Sequence, residues 1–530
     1  MKNVNISMVS VQLACIFLIC ISSVLGSKIL QISNVSICGD VDELPAFQAE
    51  EKWATLFEVI APYRALCRVQ APESYQERPA WPKCLWELPK GNMPKATLWE
   101  TGHIKSSQSW LKISGDKIQL PRAGGSLAAS KFLEILPDSI KMETIQTVLD
   151  EGAGVCGMAA EIMVTFKHRP LVLSYAPHDS HANQVQVCME RGVPAIIFNM
   201  ARYQFPVPPG SFDMVTCKWC WHWIAAVSMG QWFLEVDRVI RPGGYFVIYA
   251  SVWQTLNFKE QFEFWMSSLG WLKLEGVKHK DMAAYQKPLL ALAAATNFTS
   301  CPPAESQQPS FRRFHVPCRS PAPGVTAPDL LKPGQSPDVM YVKALLAMMP
   351  SSAMFTNVMD ANADSGTFGE AIRDLLPNAW TLNIQPVKAA EFHHKEQGGG
   401  SLNFAGLSNY VQSLGPDGLP GIFAAGRFGL YHDWCYMFPI YPRGFDLIHV
   451  RGLILAHENC LQQAVLELDR LLRPGGHIVL SGAGVAESVT EDAVASLRWM
   501  KVPSLSGEDP DGGQGAAMVM RKMGGVFNTL

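Results

Sequence analysis

Two carboxylates and two glycines stand together where an apolar segment ends: Asp150, Glu151, Gly152 and Gly154 in "TVLDEGAG". Glycines at this spacing let the backbone turn sharply and pass close to a ligand, because they lack a β-carbon. The two carboxylates place charge at the end of the predicted strand. Such a turn indicates a ligand-binding edge, although dinucleotide-binding folds with a G-x-G-x-x-G pattern share the same geometry.

Further polar side chains follow other predicted strands. Asp179 lies in "APHDSH" after the second strand, and Lys218 and His222 lie in "CKWCWHW" after the fourth. In an open parallel sheet the ligand lies beyond the carboxyl ends of the central strands. We therefore predict that Lys218 and His222 position a substrate and that the ligand is bound by Asp150, Glu151, Gly152, Gly154, Asp179 and Asp213.

The elements that must position these residues alternate between strands and helices. "TVLDEGAG" is followed by a helical "MAAEIMVTF" and a second strand, "RPLVLSYA", and the pattern continues to a helix "SMGQWFLEVDRVI", a turn "RPGG" and a strand "YFVIYA". This spacing predicts a doubly wound, mostly parallel sheet covered by helices on both faces. A closing edge strand is predicted at Met282–Pro288.

An eleven-residue phrase occurs twice, as "LEVDRVIRPGG" (Leu234–Gly244) and as "LELDRLLRPGG" (Leu466–Gly476). Two other landmarks repeat with it: "TNVMDANADSG" matches the first strand and turn, and "GFDLIHV" matches "SFDMVTC". The chain is therefore predicted to be a tandem duplication of one α/β domain. The spacing of the landmarks requires an insertion in the second copy, which we place in the Gly-rich residues 393–418.

The length of 530 residues allows two or three domains, since one hydrophobic core rarely serves more than about 300 residues. The composition is that of a globular protein, and the net charge of -3 gives no electrostatic basis for binding nucleic acid. We predict an irregular lead-in at residues 28–136, a first domain at 137–296, a Pro/Ser-rich linker at 297–337 and a second domain at 338–530.

Residues 1–27 contain an apolar segment, Ile6–Leu25, about as long as the roughly 20 residues that cross a bilayer. Two interpretations remain open: a signal anchor that forms a transmembrane helix, or a signal peptide that is cleaved near Gly26. Both direct the rest of the chain into the secretory lumen, where Asn34 and Asn297 are predicted glycosylation sites.

The 13 cysteines are scattered rather than spaced as metal ligands, and no metal is predicted. Cys217 and Cys220 form a C-x-x-C. We interpret this pair as a buried strand end or as a source of disulfides to cysteines elsewhere, in preference to a redox pair, because no thioredoxin-like context accompanies it.

The order of glycine turn, "FD" strand and "RPGG" turn, found twice, resembles class I S-adenosylmethionine-dependent methyltransferases. Longer phrases narrow the resemblance: "YAPHDSHANQVQVCMERGVPA", "NVMDANA" and "YHDWCYMFPIYPRGFDLIH" are similar to the plant pectin (homogalacturonan) methyltransferase-like family of the quasimodo and dehydration-responsive type. The resemblance implies two tandem class I (Rossmann-like) methyltransferase domains that use S-adenosylmethionine.

The same resemblance implies a location and a substrate. It implies a glycosylated, single-pass type II protein of the Golgi membrane whose lumenal part methylates galacturonate carboxylates of homogalacturonan, a cell-wall polysaccharide, with glycosyltransferases as partners. Cleavage of the apolar start would instead give a secreted form. Methylation of a carboxylate needs no strong general base, because the nucleophile is already ionised at neutral pH. The protein must supply position and electric field, which favours side chains such as Lys218 and His222.

Two departures from the family pattern bear on activity. Ala153 replaces the cysteine of the family's first turn, and in the second copy Asp364 would set a carboxylate against that of the cofactor. We therefore expect the cofactor in the first domain and a structural or acceptor-binding role for the second. A competing hypothesis is a catalytically inactive paralogue that acts as a scaffold in a cell-wall polysaccharide synthesis complex. A nicotinamide-dependent oxidoreductase is a third hypothesis, which we rank lower because Cys156 precedes Gly157 in the turn.

Overall fold

The computed structural model describes two α/β domains and a small antiparallel sheet that precedes them. The described residues are 92–94, 112–114, 117–119, 134–176, 184–198, 200, 205–218, 220, 229–249, 262–263, 266–267, 269–289, 336–388, 412–413, 417–434, 438–440, 443–452, 461–482, 494, 497–503 and 517–523. The predicted anchor, the two predicted glycosylation sites and most of the predicted linker lie outside these ranges. Within them, no helix is both long enough and apolar enough to span a bilayer.

The small sheet has three strands in the order β1-β3-β2: β1 (Asn92–Pro94), β2 (Lys112–Ser114) and β3 (Lys117–Gln119). These strands fall in the region that the sequence predicted to be an irregular lead-in.

The sheet of the first domain has seven strands. They are β4 (Thr147–Glu151), β5 (Leu171–Ala176), β6 (Ala195–Ile197), β7 (Phe212–Lys218), β8 (Ile240–Tyr249), β9 (Leu272–Lys273) and β10 (Met282–Gln286). Their order in the sheet is β6-β5-β4-β7-β8-β10-β9, with β4 to β8 parallel and β10 antiparallel to both neighbours. The helices are α1 (Gly157–Thr165), α2 (Gln184–Glu190) and α3 (Met229–Val239). The predicted closing strand is therefore present, but β9 lies outside it at the edge.

The second domain repeats this arrangement. Its strands are β11 (Asn357–Asp360), β12 (Trp380–Lys388), β13 (Gln412–Ser413), β14 (Gly429–His432), β15 (Phe445–Arg451), β16 (Leu472–Ser481), β17 (Trp499–Lys501) and β18 (Met518–Lys522). The order is β13-β12-β11-β15-β16-β18-β17, and β14 also pairs with β12, in the place that β6 holds beside β5. The helices are α4 (Val339–Met348), α5 (Thr367–Leu375), α6 (Leu419–Ala424) and α7 (Leu461–Leu471). Two mixed α/β sheets with one topology confirm the predicted duplication of the fold.

The predicted insertion falls in one connection. Ser174 of β5 pairs with β4 at the register that Asn383 of β12 holds with β11, and α2 and α6 follow these strands. The connection from Lys388 to Leu419 is much longer than that from Ala176 to Gln184, and it contains all of residues 393–418.

The "RPGG" segment is part of a strand rather than a free turn. Arg241–Gly244 lies within β8, and the pairing between β7 and β8 shifts register between Phe212 and Met214, so the segment bulges from the ladder. Gly243 adopts a φ of +79° in this bulge. The equivalent segment in β16 shows the same register shift and a φ of +79° at Gly475. A bulge is the strand counterpart of the turn that the sequence predicted.

The repeated phrase holds each domain together through its charged side chains. In α3 the Glu235 carboxylate and the Arg238 guanidinium form a buried ion pair, with a distance of 2.6 Å. Arg238 donates to the carbonyl oxygens of Phe205 and Val207, both at 2.8 Å. In the second domain Glu467 and Arg470 are paired in the same way, and Arg470 donates to the carbonyl oxygens of Phe438 and Ile440 at 2.9 and 2.8 Å, respectively.

The aspartate of the phrase ties the helix to the far strands of the sheet. Asp237 accepts a hydrogen bond from the Trp271 indole at 2.9 Å, and Lys287 lies 3.5 Å from its carboxylate. Asp469 accepts from the Trp499 indole at the same distance of 2.9 Å, and Lys522 lies 3.1 Å away. The phrase is therefore repeated because each domain uses the same buried polar frame.

The two domains meet through reciprocal main-chain hydrogen bonds. The amide of Ile197 in β6 donates to the carbonyl oxygen of Pro439 at 2.7 Å, and the amide of Tyr431 in β14 donates to that of Pro206 at 3.0 Å. β6 and β14 hold equivalent places in the two sheets. A short segment of each domain, at Pro206 and at Pro439, therefore accepts a main-chain hydrogen bond from the edge strand of the other domain. Arg238 and Arg470 hold these same segments, so the repeated phrase also supports the interface.

Side chains close the interface between the domains. The Trp380 indole donates to the carbonyl oxygen of Gly192 at 2.7 Å, and the rings of Phe212 and Phe423 pack edge to face with centroids 5.3 Å apart. Arg473 forms a buried ion pair with Glu190 at 3.0 Å. One hydrophobic core cluster contains residues of both domains.

Candidate cofactor-binding site

The loop after β4 begins at Gly152 and is fastened to the neighbouring strand. The amides of Gly152 and Ala153 both donate to the carbonyl oxygen of Tyr175, at 3.2 and 3.1 Å. The Cys156 amide then donates to the carbonyl oxygen of Ala153 at 2.7 Å, and α1 starts at the next residue. This glycine loop, Gly152–Cys156, thus lies at the carboxyl end of β4 and leads into the N-terminus of α1.

The two predicted glycines have different surroundings. Gly152 has a φ of +78°, and a β-carbon there would overlap the carbonyl oxygen of Lys218. Gly154 has a φ of +53°, but a β-carbon there would meet no atom of the described residues within 4 Å. Gly152 is therefore required by the packing of β7 against the loop. Gly154 leaves the loop open on one side, where a ligand can approach the backbone at a helix N-terminus.

The end of the loop is held by α2 and by the residue that follows it. A disulfide joins Cys156 to Cys188 of α2. The buried guanidinium of Arg191 donates to the carbonyl oxygen of Val155, and burial lowers its pKa to about 10, so the cation persists at neutral pH. Sequence reasoning noted Cys156 only as the residue before Gly157 and did not single out Cys188 or Arg191. Their roles depend on α2 folding back over the loop, and no short-range pattern reports such a contact.

The predicted carboxylates are bound inside the domain. Asp150 accepts hydrogen bonds from Thr216 at 3.0 Å and Ser174 at 3.3 Å, and burial raises its pKa to about 6. Glu151 accepts from the Trp232 indole, with its two oxygens 2.9 and 3.1 Å from the nitrogen. Burial raises the pKa of Glu151 to about 8, so that this group is largely protonated at neutral pH.

Lys218 ends β7 directly beside the glycine loop, as the predicted site requires. Its side chain is half-buried, and burial lowers the pKa of its ammonium group, an effect that the charges of Asp150 and Glu161 oppose. His222 and Asp179 lie outside the described residues. Of the predicted site, the structure therefore brings together Asp150, Glu151, Gly152, Gly154 and Lys218.

Asp213 lies at the opposite edge of the sheet. It is the second residue of β7, and its carboxylate accepts from the amides of Gln146 and Thr147 at 2.7 and 2.9 Å, where β4 begins. Arg241 adds an ion pair at 2.9 Å. This placement corrects the assignment of Asp213 to the cofactor site: it ties the amino ends of two strands together, and Asp446 does the same for the amides of Thr356 and Asn357.

Cys217 and Cys220 form a disulfide with each other, not with cysteines elsewhere. Together with Glu151 they place three ligand atoms within 4.8 Å of one another, a spacing that would suit a metal ion. Both sulfurs are engaged in the disulfide, however, and thiolates are the form that binds metals. The backbone of the C-x-x-C segment, at Lys218 and Cys220, packs against the glycine loop at Gly152.

The second domain keeps the backbone conformation of the later part of the loop but changes its side chains, and Asn362, at the position of Gly152, does not have a positive φ. Asp364 stands at the position of Gly154 with a φ of +45°, and Gly366 stands at that of Cys156 with a φ of +76°. The carboxylate of Asp364 is exposed where the first domain is open. The positive φ values at the last two of these positions are thus retained, although an acidic side chain now stands where the first domain has Gly154.

A buried polar cluster fills the adjoining strand ends of the second domain. His449 stands where the first domain has Thr216, and its Nδ1 lies 2.9 Å from the Asp360 carboxylate. Its Nε2 lies 3.2 Å from the Ser481 hydroxyl and 3.3 Å from that of Tyr341. Phe368 stacks on the imidazole at 3.9 Å. The polar groups of this cluster are hydrogen-bonded to one another, so the strand ends of the second domain differ in chemistry from those of the first.

Comparison with known proteins places this geometry in a family. A model of the family described as "Putative S-adenosyl-L-methionine-dependent methyltransferase" matches residues 37–312 and 406–521. Probable methyltransferase PMT25 of Arabidopsis thaliana is 28% identical over 506 residues, which cover 84% of this chain and 60% of that protein. Probable methyltransferase PMT2 of the same plant is 27% identical over 498 residues, which cover 82% of this chain and 74% of that protein.

Solved structures of methyltransferases also match the chain. The 16S rRNA N2 G1207 methyltransferase (RsmC) of T. thermophilus, in complex with AdoMet and guanosine, aligns with a TM-score of 0.24 at 12% identity and covers 78% of this chain and 97% of its own. The family model covers most of the residues of both α/β domains, and the chain therefore belongs to the family of S-adenosyl-L-methionine-dependent methyltransferases, whose cofactor is S-adenosylmethionine.

Proposed function

We propose that this protein is an active methyltransferase whose first domain binds S-adenosylmethionine on the glycine loop. The observation that carries the proposal is the open side of the loop at Gly154, beside the N-terminus of α1. A carboxylate such as that of the methionine moiety is stabilised at a helix N-terminus by backbone amides and by the helix dipole. When bound, the cofactor supplies an electrophilic methyl group, and the loop and Lys218 have to place the acceptor in line with it.

The second domain is proposed not to bind the cofactor. Asp364 covers the position that Gly154 leaves open, and its carboxylate would repel the carboxylate of the cofactor. The buried cluster around His449 occupies the adjoining strand ends. We propose that this domain supports the first through the reciprocal interface or helps to bind the acceptor.

The acceptor is proposed to be a carboxylate of an acidic polysaccharide, namely galacturonate in homogalacturonan. Support comes from the family phrases in the sequence and from the chemistry of the edge. The described part of the site offers the Lys218 ammonium group but no nucleophile paired with a general base, and transfer to a carboxylate needs none. We propose the Golgi lumen as the location, reached through an apolar N-terminal anchor, with secretion after cleavage as the alternative that N-terminal sequencing of the mature protein distinguishes.

Calorimetry of the full chain with S-adenosylmethionine and S-adenosylhomocysteine tests cofactor binding. We expect one site per chain, lost in Gly154→Asp, which copies the second domain. The matched control, Asp364→Gly, should leave the first-domain affinity unchanged. A second binding site in Asp364→Gly would support the repulsion argument, whereas unchanged binding in Gly154→Asp would contradict the proposed site.

Transfer of a radiolabelled methyl group to de-esterified oligogalacturonide tests the acceptor. Labelled product above a substrate-free control, and its loss in Lys218→Ala with intact cofactor binding, are the expected results. If the protein neither binds the cofactor nor forms labelled product, the second candidate function applies: a non-catalytic scaffold in a polysaccharide synthesis complex. The observation in its favour is that, in the sheet of the second domain, the polar groups around His449 at the strand ends already bond to one another.

A further inference from the structure

We propose that the disulfide between Cys156 and Cys188 is a covalent clamp that sets the shape of the glycine loop, so that cofactor affinity depends on the oxidation state of this pair. The inference rests on the proposed binding of S-adenosylmethionine in the first domain. It concerns two residues that touch the loop from its end and from α2, and it assigns them a positioning role rather than a catalytic one.

The backbone at Cys156 is the first part of the argument. Cys156 adopts a φ of +56°, in the left-handed region that a residue with a β-carbon disfavours. The equivalent residue of the second domain is Gly366, with a φ of +76°, where the same conformation carries no such penalty. The first domain therefore holds a side chain in a conformation for which the repeat uses glycine, and some other interaction must keep it there.

The second domain shows which contact occupies the place of the disulfide between Cys156 and Cys188. A β-carbon at Gly366 would lie 2.6 Å from Cγ1 of Ile422 in α6, the helix that corresponds to α2. The same two positions thus meet in both domains. In the second domain they meet as a glycine against an isoleucine, and in the first they are joined by a bond between sulfurs.

Besides this bond, the end of the loop is held by main-chain hydrogen bonds, from the Cys156 amide to Ala153 at 2.7 Å and from the Ala160 amide to Cys156 at 3.0 Å. The amides of Gly152 and Ala153 fasten the start of the loop to Tyr175, and Arg191 holds the carbonyl oxygen of Val155. The Cys188 sulfur also lies 3.7 Å from the carbonyl oxygen of Gly154, the residue at the open side. Loss of the bond therefore removes the only covalent tie between the described residues of α2 and Cys156, which is then held at its positive φ by main-chain contacts alone, while the start of the loop stays in place.

The redox step is a thiol–disulfide exchange. A dithiol such as dithiothreitol donates two electrons and two protons, the bond between the two sulfurs breaks, Cys156 and Cys188 become thiols, and the reductant becomes a cyclic disulfide. Cys156 then has no covalent partner to hold it at a positive φ. We expect the loop to relax toward other backbone conformations and the affinity for the cofactor product to fall.

The test measures S-adenosylhomocysteine binding by calorimetry with the full chain, oxidised and then reduced, with the state of each cysteine read by alkylation and mass spectrometry. We expect the Kd to rise at least tenfold on reduction. Cys156→Gly with Cys188→Ile, which copies the second domain, should bind with one affinity whether or not reductant is present. Cys156→Ser with Cys188→Ser should bind as weakly as the reduced protein.

Cys217 and Cys220 require a control of their own, because the reductant also opens their disulfide. Cys217→Ser with Cys220→Ser should show the same ratio of Kd values on reduction as the unmodified protein. A Kd that stays within twofold after complete reduction of Cys156 and Cys188 would overturn the clamp. Absence of binding in both states would instead overturn the proposed function, and with it the dependence of affinity on this bond.

Hydrogen exchange of the cofactor-free chain adds a readout that does not depend on binding. Amides from Gly154 to Ala160 should exchange faster after reduction, whereas those of the corresponding segment from Asp364 to Glu370 should not change. Equal protection of the first segment in both states would also contradict the clamp. A general loss of structure would speed exchange in both segments, so the comparison separates positioning from unfolding.

Discussion

Gly152 and Gly154 adopt similar backbone conformations for different reasons, and this difference separates folding from binding at the level of single residues. Gly152 lacks space for a β-carbon because the carbonyl of Lys218 lies against it, whereas Gly154 faces an open side. The glycine pattern could be read from the sequence, but the distinction could not, since it depends on where β7 ends relative to the loop.

Alanine at these two positions should therefore give opposite profiles. Gly152→Ala adds steric overlap to an unfavourable φ and is expected to lower the free energy of unfolding by about 3 kcal/mol or more. Gly154→Ala should cost only about 1–2 kcal/mol, the usual penalty of the left-handed conformation, yet weaken S-adenosylhomocysteine binding at least tenfold. Urea unfolding and calorimetry measure the two effects. Normal binding by a folded Gly154→Ala would remove the open side from the site.

Glu151 links pH to stability through its burial. Its pKa is about 8 in the folded chain and 4.5 for an ordinary glutamate. Between these values the unfolded chain has released a proton that the folded chain keeps, so stability falls as pH rises from 4.5 to 8. Between pH 6.5 and pH 8.0 the unmodified protein should lose about 2 kcal/mol more than Glu151→Gln, whose amide oxygen still accepts from Trp232.

Asp150 provides the control for this pH dependence. Its pKa of about 6 lies below the chosen window, so Asp150→Asn should change the slope between pH 6.5 and 8.0 only slightly. Urea unfolding of the three proteins with disulfides intact gives the comparison. A slope in Glu151→Gln as steep as that of the unmodified protein would show that Glu151 is ionised in the folded state.

At the scale of elements, the repeated phrase predicted the duplicated sheet but not the buried ion pairs and hydrogen bonds that its charged residues form. The strands β4 to β8 and the helix α3 correspond to segments recognisable by apolar runs and by their alternation. The strands β17 and β18 were not predicted, because Trp499–Lys501 has three residues, two of them exposed, and Met518–Lys522 follows a Gly-rich segment. Asp213 was assigned to the cofactor site because "FD" is one of the motifs of the family pattern. In the structure it lies at the start of β7, and only the other end of that strand, at Lys218, reaches the ligand edge.

Asparagine at Asp213 should separate these two roles. The substitution removes the ion pair with Arg241 and weakens the hydrogen bonds from Gln146 and Thr147. We expect a loss of about 1.5–3 kcal/mol in unfolding free energy, the usual worth of hydrogen bonds to a charged group, with the Kd for S-adenosylhomocysteine within twofold of normal. Asp446→Asn should behave alike. Loss of binding by a stable Asp213→Asn would return Asp213 to the cofactor site.

At the scale of the whole molecule, the duplication has become an internal interface with nearly two-fold character. Reciprocal bonds from Ile197 to Pro439 and from Tyr431 to Pro206 use the same strand edge in each domain, as two identical subunits would. Within the described interface, a charged position departs from this symmetry. Arg473 is buried between Glu190 and Asp446, while its counterpart Arg241 is 31% exposed and pairs with Asp213.

This asymmetry makes the two arginines a matched pair for testing whether the domains stabilise one another. Arg473→Ala leaves the carboxylates of Glu190 and Asp446 buried without their cation, which should cost about 3–5 kcal/mol. Arg241→Ala removes a partly exposed ion pair and should cost about 1 kcal/mol. Because Glu190 belongs to the first domain and Arg473 to the second, the larger loss should lower the urea midpoints of both domains together. Unfolding can be followed by hydrogen exchange in β4 and in β11, and a fall confined to β11 in Arg473→Ala would show that the domains are held independently.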